Sequence, residues 1–555
     1  MRFLISFCFS FVFAGVVFAM APMLQQPLDL PIALSASFGE LRPNHFHAGL
    51  DFKTEQQCGY AIRSVADGYV SRIKISQFGY GNCLYVTHPQ GITTVYAHLD
   101  AFNDSITSWV RTYQYEHQTF QMDVQLPDSI FPVSKGDVIA ISGNTGSSAG
   151  PHLHFEVRNT EKEEAMDPQD YYRIEDTVRP KFKRVGVRPI ANEGTVAGQC
   201  VFQSYKTWQE TAGNYRAKPI EAWGKIGLEV MAFDYMNGQS NFYGLKRLVV
   251  LVDNELQFSY VINKFSFEHD RAINAFIDYE QWVKTRDVYM CAYMPQYQPL
   301  ALFSTKDDAY LNIDQERDYQ VEMKAYDYAG NESVLRFVIK GKSASLPLMC
   351  NPSGEKFSFD KMNFFTKDSV MLFVPRGALY NDTYFRYSMQ YDSTLSTPVY
   401  ALHENTVPLH KNVALILPID KDTLTCKNQY YMAYKNTYGK WGYVPASYEK
   451  GAMVAKVNKF GEYTVLVDTI APSIRPMQKT RTKIRFRIND KQTDVATFNG
   501  YMDGQWVLFE IDAKNRITYH YDKSRLKAGK HHLRLEVTDR CGNKTVYEDN
   551  VRLGY

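Results

Sequence analysis

Gly150-Pro151-His152-Leu153-His154-Phe155-Glu156-Val157-Arg158 decides the reading of this chain. Alternate residues of a strand share a face, so Leu153, Phe155 and Val157 point to a core while His152, His154 and Glu156 project together on the other side. Two histidines two apart bring their rings close enough for one to bind a metal while the other reaches water beside it. Taken alone, the pair also reads as two exposed strand histidines. Working outward, the strand pattern holds upstream at Val138–Asn144 and through residues 59–100, where Ile73 and Ile75 alternate with Arg72 and Lys74 and glycines mark the turns. The expectation is a mainly β protein that begins with an antiparallel domain at 28–185, interrupted by an insert at about 101–130 that carries a short helix.

Of the 13 histidines, seven precede residue 160, which points to a site there. His47-Ala-Gly-Leu-Asp51 supplies two more donors. Four residues apart in an extended strand they would sit about 13 Å apart, too far for one zinc with bonds near 2 Å. The segment therefore bends, and Gly49 is where bending costs least. His45 competes with His47, but only His47 has the four-residue relation to Asp51. In Thr94-Val95-Tyr96-Ala97-His98-Leu99, His98 ends a β-branched strand; alone it reads as structural.

Together these stretches resemble the lysostaphin/LytM-type family of zinc peptidoglycan endopeptidases. The resemblance runs in order from FGELRPNHFHAGLDF (38–52), through DGYVSRI (67–73) and TTVYAHL (93–99), to KGDVIAISGNTGSSAGPHLHFEVR (135–158). It implies an antiparallel β fold with one Zn2+ in a groove, His47, Asp51 and His154 as metal ligands, and His152 and His98 as the two catalytic histidines. Two imidazoles and a carboxylate leave a fourth tetrahedral position to water, whose pKa zinc lowers toward about 7. His152 is the expected general base. His98 would stabilise the oxyanion or protonate the leaving amine, and the two roles are exchangeable on sequence alone. Glu156 would orient a histidine ring. The insert departs from the usual link between the His98 strand and Lys135-Gly136-Asp137 and is expected to reshape the groove wall.

The rest of the chain sets the setting. A net charge of +2 with 22% charged residues excludes a field suited to nucleic acid. Arg2, the apolar run 3–19 and Val17-Phe18-Ala19 read as a signal peptide cleaved after Ala19, the alternative being an uncleaved anchor at the lower limit for spanning. The expected location is the periplasm or cell envelope, or outside the cell, with no membrane span in the mature chain. Pairing by domain suggests disulfides Cys58–Cys83, Cys200–Cys291 and Cys350–Cys426, with Cys541 alone. The Pro- and Lys-rich stretch 179–189 reads as the exit from the first domain. Beyond it, 39 tyrosines and 34 phenylalanines suit short strands with aromatic pairs. Immunoglobulin-like β-sandwiches are expected at 190–342 and 474–555, because Asp-x-x-Gly-Asn precedes a last strand at 327–331 and again at 539–543. Residues 350–468 read as all-β of uncertain type. These domains would target peptidoglycan, restrain the enzyme or take a protein partner.

The function expected is hydrolysis of peptide bonds in peptidoglycan stem peptides or cross-bridges. The rival is a non-catalytic peptidoglycan-binding or amidase-activating protein on the same fold, in which ligands are commonly replaced; here all are present. Cleavage of glycine-rich proteins is a third reading.

Overall fold

The computed structural model describes residues 23–346, 353–393, 395 and 397–554, so the expected signal peptide and Cys350 lie outside the described residues. The protein is mainly β, with 51% of residues in strands and 7% in helices. No helix among the described residues is long and apolar enough to cross a membrane.

The N-terminal sheet contains β1 (Leu34–Ala36), β2 (Leu50–Lys53), β3 (Gly68–Ile75), β4 (Asn82–Thr87), β5 (Ile92–Leu99), β6 (Met122–Gln125) and β7 (His152–Asn159). They run in the order β1-β2-β7-β5-β4-β3-β6 and pair antiparallel. The decisive strand β7 is thus central. Its Leu153, Phe155 and Val157 are fully buried, as the alternation requires. Residues opposite each other on adjacent antiparallel strands share a face, and His154 lies opposite both Asp51 of β2 and Ala97 of β5.

The insert forms α1 (Asp104–Glu116) and the edge strand β6. Asn103 caps α1 by accepting from the Ile106 N–H, and Ile106, Val110 and Gln114, at four-residue spacing, are its buried side.

Residues 179–189 are not the exit from this domain. They run into a strand, Lys181–Val196, that opens the next sheet, and the connection lies before it. From there to Gly341, eleven strands hydrogen-bond as one continuous sheet. Asn214–Ala217 and the start of Ile220–Phe233 both pair parallel to Glu332–Gly341, which joins what would otherwise be separate sheets. This unit shares its core with the first domain. Ala165–Met166 pairs with β7 on one side and with Lys264–Phe265 of the second unit on the other. Residues 355–467 form two five-stranded sheets, with a two-stranded pair, around their own core. Residues 473–553 form two four-stranded sheets packed around Phe486, Tyr519 and Leu535.

The expected disulfides are absent where they can be seen. Cys58, Cys83, Cys200, Cys291, Cys426 and Cys541 are free. In the first two expected pairs, one partner is buried in the sheet (Cys83, Cys291) and the other exposed (Cys58, Cys200), so neither pair meets.

Candidate metal centre and groove

Three ligand-capable atoms converge at the floor of an open groove of about 1190 Å³. His47 Nε2 lies 3.1 Å from Asp51 Oδ1 and 3.1 Å from His154 Nδ1, and those two lie 2.9 Å apart. Bonds of about 2.0–2.1 Å in a tetrahedral site put ligand atoms roughly 3.3 Å apart, so a zinc-sized ion fits with small outward shifts.

The supports of the rings explain why a cation fits. His47 donates its Nδ1–H to the Ser37 carbonyl at 2.7 Å, and His154 donates its Nε2–H to Glu156 Oε1 at 2.8 Å. In its neutral form each ring therefore turns a bare nitrogen toward Asp51, so that three lone-pair-bearing atoms face one point once His154 gives up its second proton in favour of a metal. A second partner on the far nitrogen is how metal-binding histidines are held in orientation.

The local backbone makes this possible in ways the strand pattern alone did not show. The bend that lets His47 and Asp51 meet falls between the short strand His45–Phe46 and β2. Gly49 keeps an ordinary backbone; glycine is needed because a Cβ there would sit 2.2 Å from the Phe155 carbonyl oxygen of β7. His45 is exposed on the groove rim, with its ring held by the Pro43 carbonyl, and takes no part in the convergence. His98 has φ 61, in the left-handed region that few non-glycine residues occupy, and such strain gathers at functional sites.

His98 and His152 face the same point. Their ring centroids are 4.8 Å apart, and His152 Nε2 is 3.5 Å from Asp51 Oδ1. His152 donates Nδ1–H to the Gly150 carbonyl and His98 donates Nδ1–H to the Thr145 carbonyl, both at 2.8 Å. Each Nε2 is then free to accept a proton. Burial, with His154 and His152 alongside, pulls the His98 pKa down to about 3, so it is neutral at neutral pH. Burial pushes the Asp51 carboxyl up, but the surrounding histidines outweigh it and hold it well below the usual range. Burial works against the His154 cation, yet Asp51 and Glu156 carry its pKa to about 9 when no metal competes for the ring.

Behind the ligands stands a chain of support that the strand pattern only partly revealed. Glu156 is fully buried, and the adjacent Arg158 keeps it ionised against burial, with a pKa of about 2. Arg158 donates to Glu156 Oε2 at 2.7 Å, and Tyr80 donates its hydroxyl to Glu156 Oε1 at 2.5 Å. Tyr80 also stacks on His154, with centroids 5.4 Å apart. The signal for Tyr80 was its place between Gly79 and Gly81, both at positive φ. Phe267 of the second unit lies over the Arg158 guanidinium at 4.2 Å, sealing the pair from solvent.

Residues 45–115 and 107–168 match the model of Peptidase family M23. The N-terminal region is a Peptidase family M23 domain. Over 112 residues it is 34% identical to the DD-carboxypeptidase/endopeptidase Mpg of Neisseria meningitidis serogroup B, a match covering 20% of each chain. Over 118 residues it is 35% identical to a metalloprotease of Haemophilus influenzae, covering 21% of this chain and 19% of that one. The chain thus spans about a fifth of the length of the curated relatives it matches. Among solved structures, it is similar to the catalytic domain of lysostaphin from Staphylococcus simulans at 23% identity and TM-score 0.19, covering 25% of this chain and 91% of that one. Residues 354–468, unassigned by pattern, match a Zu5-like domain.

The insert serves as a seat. Arg111 of α1 pairs with Glu510 at 2.5 Å, Tyr115 meets Trp506 edge-on at 5.4 Å, and Arg525 lies over the Tyr115 ring. The C-terminal sheets thereby dock beside the M23 domain. A cleft of about 620 Å³ between them shares Ser76, Ser148 and Ala149 with the groove, while every residue lining the groove itself precedes residue 155.

Proposed function

We propose that this protein is an exported zinc-dependent endopeptidase that hydrolyses peptide bonds in peptidoglycan cross-links. The observation that carries the reading is the convergence of His47 Nε2, Asp51 Oδ1 and His154 Nδ1 with two further histidines turned to the same point of an open groove. The donor set suits zinc with one position left over. When bound, zinc supplies Lewis acidity and lowers the pKa of water toward about 7.

The chain's own residues do the rest. His152, with its Nδ1–H held by Gly150, accepts the proton of the attacking water at Nε2. His98 has no hydrogen on Nε2 while neutral, so it cannot donate to an oxyanion until a proton reaches it. Because its lowered pKa keeps it neutral, the proton stays on His152, which returns it to the leaving amine while His98 lines the site beside it. Ser147, Ser148, Ala149 and Gly150 are small and line the groove, which lets a peptide backbone approach. The peptidase named among the relatives and the apolar run at 3–19 support a substrate outside the cytoplasm. Because the C-terminal sheets border the groove without lining it, targeting is favoured over restraint.

The test is digestion of purified peptidoglycan by the zinc-loaded full chain, with new amino termini identified by mass spectrometry. A new terminus in the stem peptide or cross-bridge is expected. Zinc retained without any new terminus would establish the binding or activator reading, and cleavage of glycine-rich proteins with the wall untouched would move the substrate.

A further inference from the structure

The hydrolytic site makes no use of the Asp-x-x-Gly-Asn pattern that occurs at 327–331 and 539–543. Each copy is accompanied by Asp-Thr-x-x-Pro where its β unit begins, at 176–180 and 468–472, and by an aspartate directly after a strand, Asp234 and Asp490. The two assemblies repeat bond for bond. Asn331 donates its backbone N–H and Nδ2 to the Asp327 carboxylate, and Nδ2 also to the Asp176 carbonyl. Asn543 does the same to Asp539 and Asp468. Two residues on, Ser333 and Thr545 donate their hydroxyls to the carbonyls of Pro180 and Pro472. In each assembly one ligand-capable atom from each of three aspartates lies within 4.8 Å of the others.

The assemblies differ in how their negative charge is met. At the second, Thr493 donates its hydroxyl to Asp468 Oδ2 at 2.7 Å, and its N–H joins that of Gln492 on Asp490 Oδ1. At the first, Asp234 is 3% exposed and its Oδ1 has no hydrogen-bond partner. Gln169, 4% exposed, lines the same small void as Asp234, and its Oε1 is also without a partner. That void, about 10 Å³, is close to the size of a single water. Lys246 is the cation on its wall, and it is held by Asp167 at 2.8 Å. Among the described residues, none of Asp176, Asp234 and Asp327 takes part in an ion pair. Burial, with Asp327 and Asp176 close by, raises the Asp234 carboxyl to about 8. An unpaired buried carboxylate oxygen beside two further carboxylates is costly unless something positive sits among them.

We propose that Asp176, Asp234 and Asp327 hold a divalent calcium ion that ties the segment entering the second β unit to its sheet. A cluster of oxygen donors without imidazole or thiol selects a hard cation, and calcium accepts six to eight oxygens in flexible geometry. The ion also acts on the groove. Asp234 opens the loop that carries Gln239, Asn241 and Tyr243. Gln239 and Asn241 both accept from Lys53 Nζ on the groove wall, at 2.6 and 2.8 Å, and Tyr243 donates its hydroxyl to the Leu34 carbonyl. Ordering Asp234 orders that wall.

Equilibrium dialysis of the zinc-loaded full chain against radiolabelled calcium, with thermal unfolding at millimolar calcium, tests the assignment. One calcium should be retained per chain and raise the unfolding midpoint by several degrees. Asp234→Asn, equal in size, should lose both effects while keeping zinc and its circular dichroism, and Asp490→Asn should keep both. If Asp234→Asn does not fold, Asp176→Asn, at a half-buried position, carries the same expectation. The assignment is overturned if the native chain retains no calcium, if the folded Asp234 or Asp176 variant binds it as the native chain does, or if Asp490→Asn is the variant that loses it.

Discussion

At the groove floor, two imidazole nitrogens and one carboxylate oxygen meet where solvent enters; at Asp176, Asp234 and Asp327, three carboxylates meet, and Asp234 also borders a small void. The two imidazoles of the first are held from behind, by Ser37, by Glu156 and through Glu156 by Tyr80 and Arg158, so their rings are oriented before any ion arrives. The second leaves oxygens of Asp234 and Gln169 unmet, so an ion there finishes the fold itself. Donor softness and access together separate a reactive site from a fastening one.

The contrast can be broken most severely at His154. His154→Ala should abolish both stoichiometric zinc and hydrolysis while leaving calcium retention unchanged; if calcium is lost as well, the two sites are not independent. His152→Ala should keep zinc and lower turnover by about 10²- to 10⁴-fold, the usual contribution of a general base. Full activity in that variant would remove His152 from the mechanism. A smaller effect is expected from Glu156→Gln, which should weaken zinc binding by about 10- to 100-fold, measured by competition with a chelating dye. Unchanged affinity would mean that Tyr80 stacking alone orients His154.

The smallest effect should arise away from both sites, at His410. Burial, reinforced by His269, Lys411 and Arg271, lowers its pKa to about 4. As pH falls from the ordinary value of 6.5, the unfolded chain takes up a proton that the folded chain refuses, so this stability is present above about 6.5 and is lost toward 4. The unfolding midpoint should fall with acid over that window, and His410→Gln should flatten the slope. An unaltered slope would show that other groups set the acid response.

How much of this was legible in the sequence depends on the range of the interaction. His152, His154 and Asp51 could be found because strand alternation and a four-residue spacing are local signals, and β7 has the expected buried face. Which strand β7 pairs with is not local, and the register that sets His154 opposite Asp51 had to be seen. Gly49 was noticed for the wrong reason, since its hydrogen makes room for a carbonyl from a strand a hundred positions later. The cysteines misled because spacing carries no information about which side of a sheet a thiol occupies. Residues 179–189 misled because Pro180 and Pro189 flank or enter a strand that carries irregular pairing after Pro189. The aspartate pattern was visible as a repeat, but the unmet oxygen of Asp234 depends on Gln169 and on a neighbouring loop.

The covering of Arg158 by Phe267 also has a consequence for the order in which the molecule is made. A ribosome delivers β7 first, and roughly a hundred more residues must follow before Phe267 can close over the ion pair and Lys264–Phe265 can pair with Ala165–Met166. Until then, the carboxylate that steadies His154 stands open to water on its far side. A chain cut short after the peptidase domain would therefore carry all five histidine and aspartate side chains of the candidate metal centre without the ring that covers Arg158 behind them.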